Sequence, residues 1–347
     1  MKSNRLLYVL IFFLAVWCLF LSSQLSAVSA RDDSAVINQY EVNGFSTDLT
    51  KVAEAVRPSI VTINGDSNIS SGFVYKQEDD NVYILTAYHG VSGVSNIMVH
   101  FGTSYEVPGE LLGHDIYTDL ALIRVITPYQ IAPLKTGDSS LLQQGEFVIS
   151  MGTPVSMDYQ GSLELSMVAA NGLQIENSIL VEDERYNYFL NVVEISDPLS
   201  AGYSGSPLIN MNGEAVGMTT MSAQGGVSFA VTINEVKMIA EELLAQNGIS
   251  RNVFGIKGSF LKDMYNYEKT NLNIPIETID GLYIERIKEN ALAYAAGLRA
   301  GDVITKINEE VIVGLDSYLR AIYGDSTQFN FEYIRGGQTL TGTLAND

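Results

Sequence analysis

Residues 202–208 read Gly-Tyr-Ser-Gly-Ser-Pro-Leu, a serine set between two glycines. A serine hydroxyl is a poor nucleophile until a neighbouring imidazole takes its proton. The imidazole needs a carboxylate on its other nitrogen, which fixes the tautomer and stabilises the cation formed. Glycines beside the serine let backbone N–H groups turn toward a developing oxyanion. Upstream, Thr86-Ala87-Tyr88-His89 follows the β-type run Tyr83-Ile84-Leu85, and Thr118-Asp119 opens the apolar run Leu120-Ala121-Leu122. Each segment alone is ordinary: a strand-end histidine, a capping aspartate, a glycine turn. Together they supply nucleophile, base and orienting acid as Ser204, His89 and Asp119.

The chain order of these three separates fold families. An α/β-hydrolase runs Ser, then Asp or Glu, then His, whereas the chymotrypsin order is His, Asp, Ser. No histidine follows Ser204, and Ser206 breaks the Gly-x-Ser-x-Gly elbow, so a lipase or esterase of that fold is excluded. The chain has three histidines and one cysteine, Cys18, which lies in the N-terminal apolar run. Beyond residue 30 there is no disulfide, no thiol nucleophile and no Cys-based zinc site. The histidines lack the spacing of a helical zinc pair, so we expect no metal and no cofactor. His100 and His114 read as ordinary surface or strand residues.

Working outward, residues 53–232 show short β-type runs broken by Gly, Asn and Asp, without helices between them. Ser59-Ile60-Val61-Thr62-Ile63, Leu120-Ala121-Leu122-Ile123-Arg124-Val125 and Phe147-Val148-Ile149-Ser150 are examples. This pattern predicts an antiparallel barrel or sandwich. Ile233, Val236, Ile239, Ala240, Leu243 and Leu244 then recur at helical spacing, with Gly248 as a stop. A second module follows over residues 249–347, with strands near 253–257, 281–287, 303–307 and 329–333. Leu315, Tyr318, Leu319 and Ile322 form one helical stripe there. With 347 residues, 46% of them apolar, the chain is long enough for two cores and is not a disordered protein.

Charge divides unevenly between the modules. Residues 31–245 hold 8 basic and 27 acidic residues, against 10 and 13 in residues 246–347. The overall charge of -20 repels phosphate backbones and argues against nucleic acid as a partner. At the N-terminus, Lys2 and Arg5 precede the uncharged run of residues 6–21, and small residues lead to Ala30. This predicts a signal peptide cleaved after Ala30, or an N-terminal membrane anchor using residues 6–28. Either places the remainder outside the cytoplasm. Residues 31–52 read as a linker.

On these motifs the chain resembles the HtrA/Deg family of trypsin-like serine proteases carrying a PDZ domain, over nearly all of residues 53–347. Ser71-Gly72-Phe73-Val74 is similar to the strand before the catalytic histidine, and Thr86-Ala87-Tyr88-His89-Gly90-Val91 to the histidine segment. Gly113-His114-Asp115 with Thr118-Asp119-Leu120-Ala121-Leu122 resembles the aspartate segment, and residues 202–208 the serine loop. The resemblance implies two six-stranded barrels (residues 53–248) with the triad between them. It assigns Ser204 as nucleophile, His89 as general base and then acid, Asp119 as its orienter, and the N–H groups of Gly202 and Ser204 as oxyanion hole. Tyr203 and Ser206 stand where family members commonly have Asn and Gly. Asp197 is seven residues before Ser204, whereas the specificity acid of trypsin-like enzymes stands six before, where this chain has Pro198. A small or medium apolar P1 residue is what the resemblance implies.

The second module resembles a PDZ domain, an α+β fold. Ala295-Ala296-Gly297-Leu298-Arg299-Ala300-Gly301-Asp302-Val303-Ile304 with Lys306-Ile307-Asn308 is close to its signature. Val253-Phe254-Gly255-Ile256 is similar to the loop that binds a peptide's terminal carboxylate. Glycine at 255 would let successive N–H groups converge on the carboxylate, and the following strand would pair with an extended peptide. By resemblance, residues 152–162, 176–188, 198–203 and 221–226 are the loops that move on activation. The short connection between Phe73 and Tyr83 removes the large cage-building loop of some members, which leaves a homotrimer as the expected assembly. The implied function is ATP-independent cleavage of unfolded or extended polypeptides, with C-terminal peptides in the PDZ groove. A catalytically silent PDZ-containing binder or holdase is the alternative.

Overall fold

A computed structural model describes residues 16–17, 43–65, 68–181, 184–223, 227–245, 254–289, 291–323 and 326–345. The expected signal or anchor thus lies outside the described residues apart from Val16 and Trp17, and so does Val253 of the carboxylate loop. No helix among the described residues is long and apolar enough to cross a membrane. Helix α1 (Asn43–Val56) occupies the second half of the stretch read as a linker. Phe45, Leu49, Val52 and Val56 recur in it at helical spacing, and Ala53 and Val56 are buried.

Six antiparallel strands close the first barrel: β1 (Ile60–Gly65), β2 (Asn68–Glu78), β3 (Asn81–Ala87), β4 (Ile97–Phe101), β5 (Tyr105–Asp115) and β6 (Leu120–Ile126), in the order β1-β2-β3-β6-β5-β4. Alternation sets its core. Ala121, Ile123 and Val125 of β6 pack with Val61, Ile63, Val74, Ile84 and Val99 inside the barrel. Leu120 and Leu122, on the opposite face of β6, are also fully buried, because helix α2 (Ile233–Leu244) covers this side. At Gly113 in β5 a Cβ would lie 2.7 Å from the Leu243 side chain, so glycine makes room for that helix.

The second barrel comprises β7 (Phe147–Gly152), β8 (Ser162–Val181), β9 (Glu184–Ile195), β10 (Pro207–Asn210), β11 (Ala215–Ala223) and β12 (Val227–Thr232), in the order β10-β11-β12-β9-β8-β7. Val148, Val168, Val193, Leu208, Val216 and Ala230 form part of its core. Residues 176–181 and 184–188, part of the stretch expected to move on activation, form the outer part of the β8–β9 hairpin, with Glu176 paired to Phe189 and Val181 to Glu184. The acidic and polar composition that suggested a loop is compatible with a two-stranded ribbon whose pairing is carried by backbone groups.

The second module is an α+β unit. Strands β13 (Ile256–Phe260), β14 (Leu282–Ile287), β15 (Val303–Ile307), β17 (Gln328–Arg335) and β18 (Gln338–Ala345) form its sheet, with β16 (Glu310–Val311) beside β15. Its helices are α3 (Asn266–Asn271), α4 (Leu292–Ala295) and α5 (Leu315–Ile322). Phe254 is fully buried and meets Phe329 and Phe331 edge-on, with ring centroids 5.0 and 5.2 Å away. The signature segment is held by Asp302, which is buried and takes a two-point bond from Arg335 at 2.7 Å on each oxygen. The first strand begins at Ile256, three residues later than the spacing suggested, and α3 and the last strand β18 were not expected.

Candidate active site

Strand register brings His89 and Asp119 together. Ala87, the last residue of β3, pairs with Leu120, the first of β6. The residues just beyond one strand end therefore meet those just before the other. Tyr88 N–H donates to Asp119 O at 2.8 Å, and Asp119 takes the left-handed conformation with φ 59°. Its carboxylate then receives His89 twice: the backbone N–H on Oδ1 at 2.8 Å and Nδ1 on Oδ2 at 2.5 Å. This hydrogen bond raises the His89 pKa above its ordinary 6.5, against the smaller opposing effect of burial. Thr220 in β11 adds a third bond, from Oγ1 to Asp119 Oδ2 at 3.2 Å. Thr220 carries no sequence signal, because its role depends on the second barrel reaching across to the first.

Ser204 is delivered by the loop between β9 and β10. Gly205 presses this loop onto the end of β3: a Cβ there would lie 2.5 Å from Ala87 N and 2.3 Å from Ser71 O. Its φ of 83° also demands glycine. Tyr203, 3% exposed, anchors the loop in the second-barrel core beside Leu142, Leu199 and Leu208, and burial pushes its hydroxyl up to about 12. Ser206 is fully buried, with Oγ 2.9 Å from Thr219 Oγ1. The two departures from the family pattern are thus both packed into the loop's support. Ser204 makes no hydrogen bond to His89 among the described residues. Catalytic bonds of this kind often tighten only when substrate is bound.

The loop's backbone groups can be accounted for one by one. Ala201 O accepts Val155 N–H at 2.9 Å, Gly202 O accepts Ser71 Oγ at 2.6 Å, and Ser204 O accepts Ser71 N–H at 2.9 Å. Tyr203 O accepts Ser206 N–H at 2.8 Å and Thr219 Oγ1 at 2.6 Å. The N–H groups of Tyr203, Gly205 and Ser206 donate to Ser200 O, Thr219 O and Tyr203 O. Within residues 202–206 two donors have no partner among the described residues, Gly202 N–H and Ser204 N–H; just before them the N–H groups of Ser200 and Ala201 have none either. A trans peptide points its N–H away from its carbonyl. Holding Ala201 O and Tyr203 O therefore aims the Gly202 and Ser204 donors away from the loop's supports.

The other residues singled out, Asp197, His114 and His100, make no hydrogen bond to His89, Asp119 or Ser204 among the described residues. Asp197 is exposed and accepts Ser196 Oγ at 2.7 Å and Ser166 Oγ at 3.1 Å. The His114 ring stacks on Tyr88 at 3.8 Å, and burial lowers its pKa. His100 Nδ1 is 3.4 Å from Glu106.

In the second module Gly255 takes φ 66°, and a Cβ there would lie 2.3 Å from that of Ala291. Its carbonyl accepts Lys288 N–H at 3.0 Å. Strand β13 is at the sheet edge, and its Gly258 N–H donates outward to Gln174 Oε1 of β8 at 2.9 Å. A cavity of about 640 Å³ runs between Phe260, Lys262, Leu315 and Arg320 of this module and Ser139, Leu142 and Asn171 of the second barrel.

The comparisons agree with this architecture. Residues 70–218 match the model of a trypsin-like peptidase domain and residues 283–332 that of a PDZ domain. A serine protease HtrA-like of Staphylococcus epidermidis is 28% identical over 89% of this chain and 56% of its own length, so the chain spans just over half of that relative. A serine protease Do-like HtrA of Lactococcus lactis subsp. lactis is 27% identical over 89% of this chain and 78% of its own. Among solved structures, the HtrA-type protease AlgW with tripeptide superposes with a TM-score of 0.61 at 19% identity, covering 85% of this chain and 95% of that one. The serine endoprotease of Yersinia pestis gives 0.55 at 19% identity, covering 85% and 96%. With two closed barrels and His89, Asp119 and Ser204 at their junction, followed by the PDZ sheet, the chain carries a trypsin-like peptidase domain and a PDZ domain and is similar to HtrA-type serine proteases.

Proposed function

We propose that the chain is an ATP-independent serine endopeptidase acting outside the cytoplasm on unfolded or extended polypeptides, with a PDZ domain that binds peptide C-termini. The observation that carries the reading is the pair of donors Gly202 N–H and Ser204 N–H, unpartnered among the described residues, in a loop whose Gly205 packs against Ala87, two residues before the Asp119-bound His89. In this reading Ser204 Oγ attacks the scissile carbonyl while His89 Nε2 takes its proton. The new oxyanion lies between the two N–H groups. His89 then gives the proton to the leaving amine, and a water molecule repeats the sequence to free the acid. Asp119 holds the imidazole through Nδ1 and stabilises its charged form.

The substrate class follows from the same chemistry. Cleavage in a cleft between barrels and pairing to a sheet edge both require an extended chain. Release after Ala30 or retention by residues 6–28, and assembly as a homotrimer, belong to this proposal. The test is fluorophosphonate labelling of the full-length chain beside Ser204→Ala, with and without peptides ending in apolar residues. Labelling of the wild type alone supports an activated serine. Peptide binding with no labelling under any condition moves the assignment to a PDZ-containing binder or holdase.

A further inference from the structure

Ser71 belongs to β2, in the barrel opposite the serine loop, and is fully buried. Four bonds tie it to its surroundings. Its N–H donates to Ser204 O at 2.9 Å and its carbonyl accepts Thr86 Oγ1 at 2.7 Å. Its hydroxyl donates to Gly202 O at 2.6 Å and accepts Thr153 N–H at 2.9 Å. The first two bonds use the backbone and would survive a change of side chain. The last two exist only because residue 71 carries a hydroxyl.

Gly202 is where that hydroxyl matters. Its φ is 99°, a conformation open to glycine, and a glycine's flanking peptides can turn over at little steric cost. What holds them is their partners: Val155 N–H on Ala201 O, and the Ser71 hydroxyl on Gly202 O. The space around the hydroxyl is reserved as well, since a Cβ on Gly152 would lie 2.3 Å from Ser71 Oγ. We infer that Ser71 is a positioning residue for the oxyanion hole: its hydroxyl pins the Gly202–Tyr203 peptide, the second of the two peptides flanking Gly202, so that the Gly202 backbone stays at φ 99° and the Ala201–Gly202 peptide, held by Val155, keeps the Gly202 N–H turned away from the loop's supports. The inference rests on the protease reading above. Ser71 touches neither His89 nor Asp119 by hydrogen bond, so its contribution is separable from base strength.

The experiment compares the full-length wild type with Ser71→Ala and Ser71→Cys in fluorophosphonate labelling rate and in casein turnover across pH. Ser71→Ala is expected to slow labelling and kcat by about 30- to 100-fold, short of the 10²- to 10³-fold loss of a whole oxyanion donor. KM stays within about threefold and the acid limb of the pH profile does not move, as for an interaction made only in the transition state. Ser71→Cys falls between, since a thiol is a weaker donor. Wild-type rates in Ser71→Ala overturn the inference. So does a loss carried by KM, or one accompanied by a shift of the acid limb. If near-UV circular dichroism shows Ser71→Ala unfolded, Ser71→Cys decides: reduced kcat on an unmoved limb supports positioning, while wild-type kcat or unfolding overturns it. A wild type that itself neither labels nor cleaves defeats the protease reading, and this inference with it.

Discussion

The side-chain carbonyl of Gln174, in the second barrel, accepts the backbone N–H of Gly258, on the free edge of the first PDZ strand. The link continues inward. Gln174 Nε2 donates to Asn191 Oδ1 at 3.1 Å, Asn191 Nδ2 to Glu235 Oε2 at 3.2 Å, and Tyr323 OH to Glu235 Oε1 at 2.9 Å. Tyr323 caps α5, whose Tyr318 ring lies 6.4 Å from that of Phe260 in β13, so one chain of polar side chains runs from β13 to the end of α5. Lys288, whose N–H donates to Gly255 O, and Arg286 are engaged by Glu176 at 2.6 and 3.4 Å, and both lie over the Phe189 ring.

A peptide that adds to β13 must take the Gly258 donor from Gln174. Gln174→Ala leaves that donor free and removes the competitor. One hydrogen bond of about 1 kcal/mol predicts roughly fivefold tighter binding of a peptide with an apolar C-terminus. Isothermal titration of both forms would show it, and equal or weaker binding by the variant would mean the contact does not compete.

The pH response of turnover follows from His89. Its pKa is raised, chiefly by the hydrogen bond to Asp119, and a general base must be neutral to accept a proton. Activity should therefore rise with pH along a limb centred above 6.5, the ordinary histidine value. Stability runs the opposite way. A raised folded-state pKa contributes stability that is complete below the unfolded value and lost as pH rises through the folded one. Asp119→Asn removes the partner, so its acid limb should move to lower pH while kcat falls by about 10⁴-fold. A pH–rate series of kcat/KM on both forms measures each effect.

Val155 holds Ala201 O by its N–H yet sits at φ 60°, with its side chain 72% exposed. A β-branched residue pays for this left-handed conformation without gaining burial. Val155→Gly should stabilise the chain by about 1 kcal/mol, the strain relieved less the extra chain entropy of glycine. Thermal melting would register an increase of a few degrees. A lower melting temperature would show that the side chain supports the loop through contacts outweighing the strain.

The parts of this site that were legible in the sequence are those whose chemistry is local. His89 ends a strand, Asp119 opens one, and Ser204 lies between glycines, so residue type and chain order suffice to suggest the set. The supports are different in kind. Thr220 reaches Asp119 across 101 positions and the Ser71 hydroxyl reaches Gly202 across 131. Either residue would be unremarked in a strand of any barrel. Helix α1 was readable from Phe45, Leu49, Val52 and Val56, but polar residues between them read as a linker. The long β8–β9 hairpin was obscured because the polar residues Glu176-Asn177-Ser178 and the acidic run at 182–184 interrupt an alternation that Ile175, Ile179, Val181, Tyr186, Tyr188 and Leu190 otherwise carry.

Asp302 offers the test of what holds the PDZ fold itself. Its carboxylate is 1% exposed and accepts both Arg335 and the Arg299 N–H, the latter at 2.7 Å. Arg335 also donates to Gly297 O at 2.8 Å, joining the turn before β15 to the end of β17. Removing one partner of such a pair leaves a buried charge uncompensated, which costs about 3–5 kcal/mol when both partners are enclosed. The Arg335 side chain is 41% exposed, so solvent screens part of the interaction, and Arg335→Ala should cost about 2–3 kcal/mol. Arg335→Lys keeps the charge but cannot form the planar two-point bond, and should recover less than half of the loss. Calorimetry of the three forms would rank them. A Lys variant as stable as wild type would assign the stability to charge alone, and an Ala variant as stable would mean that the Arg299 N–H and its neighbours suffice to hold the carboxylate.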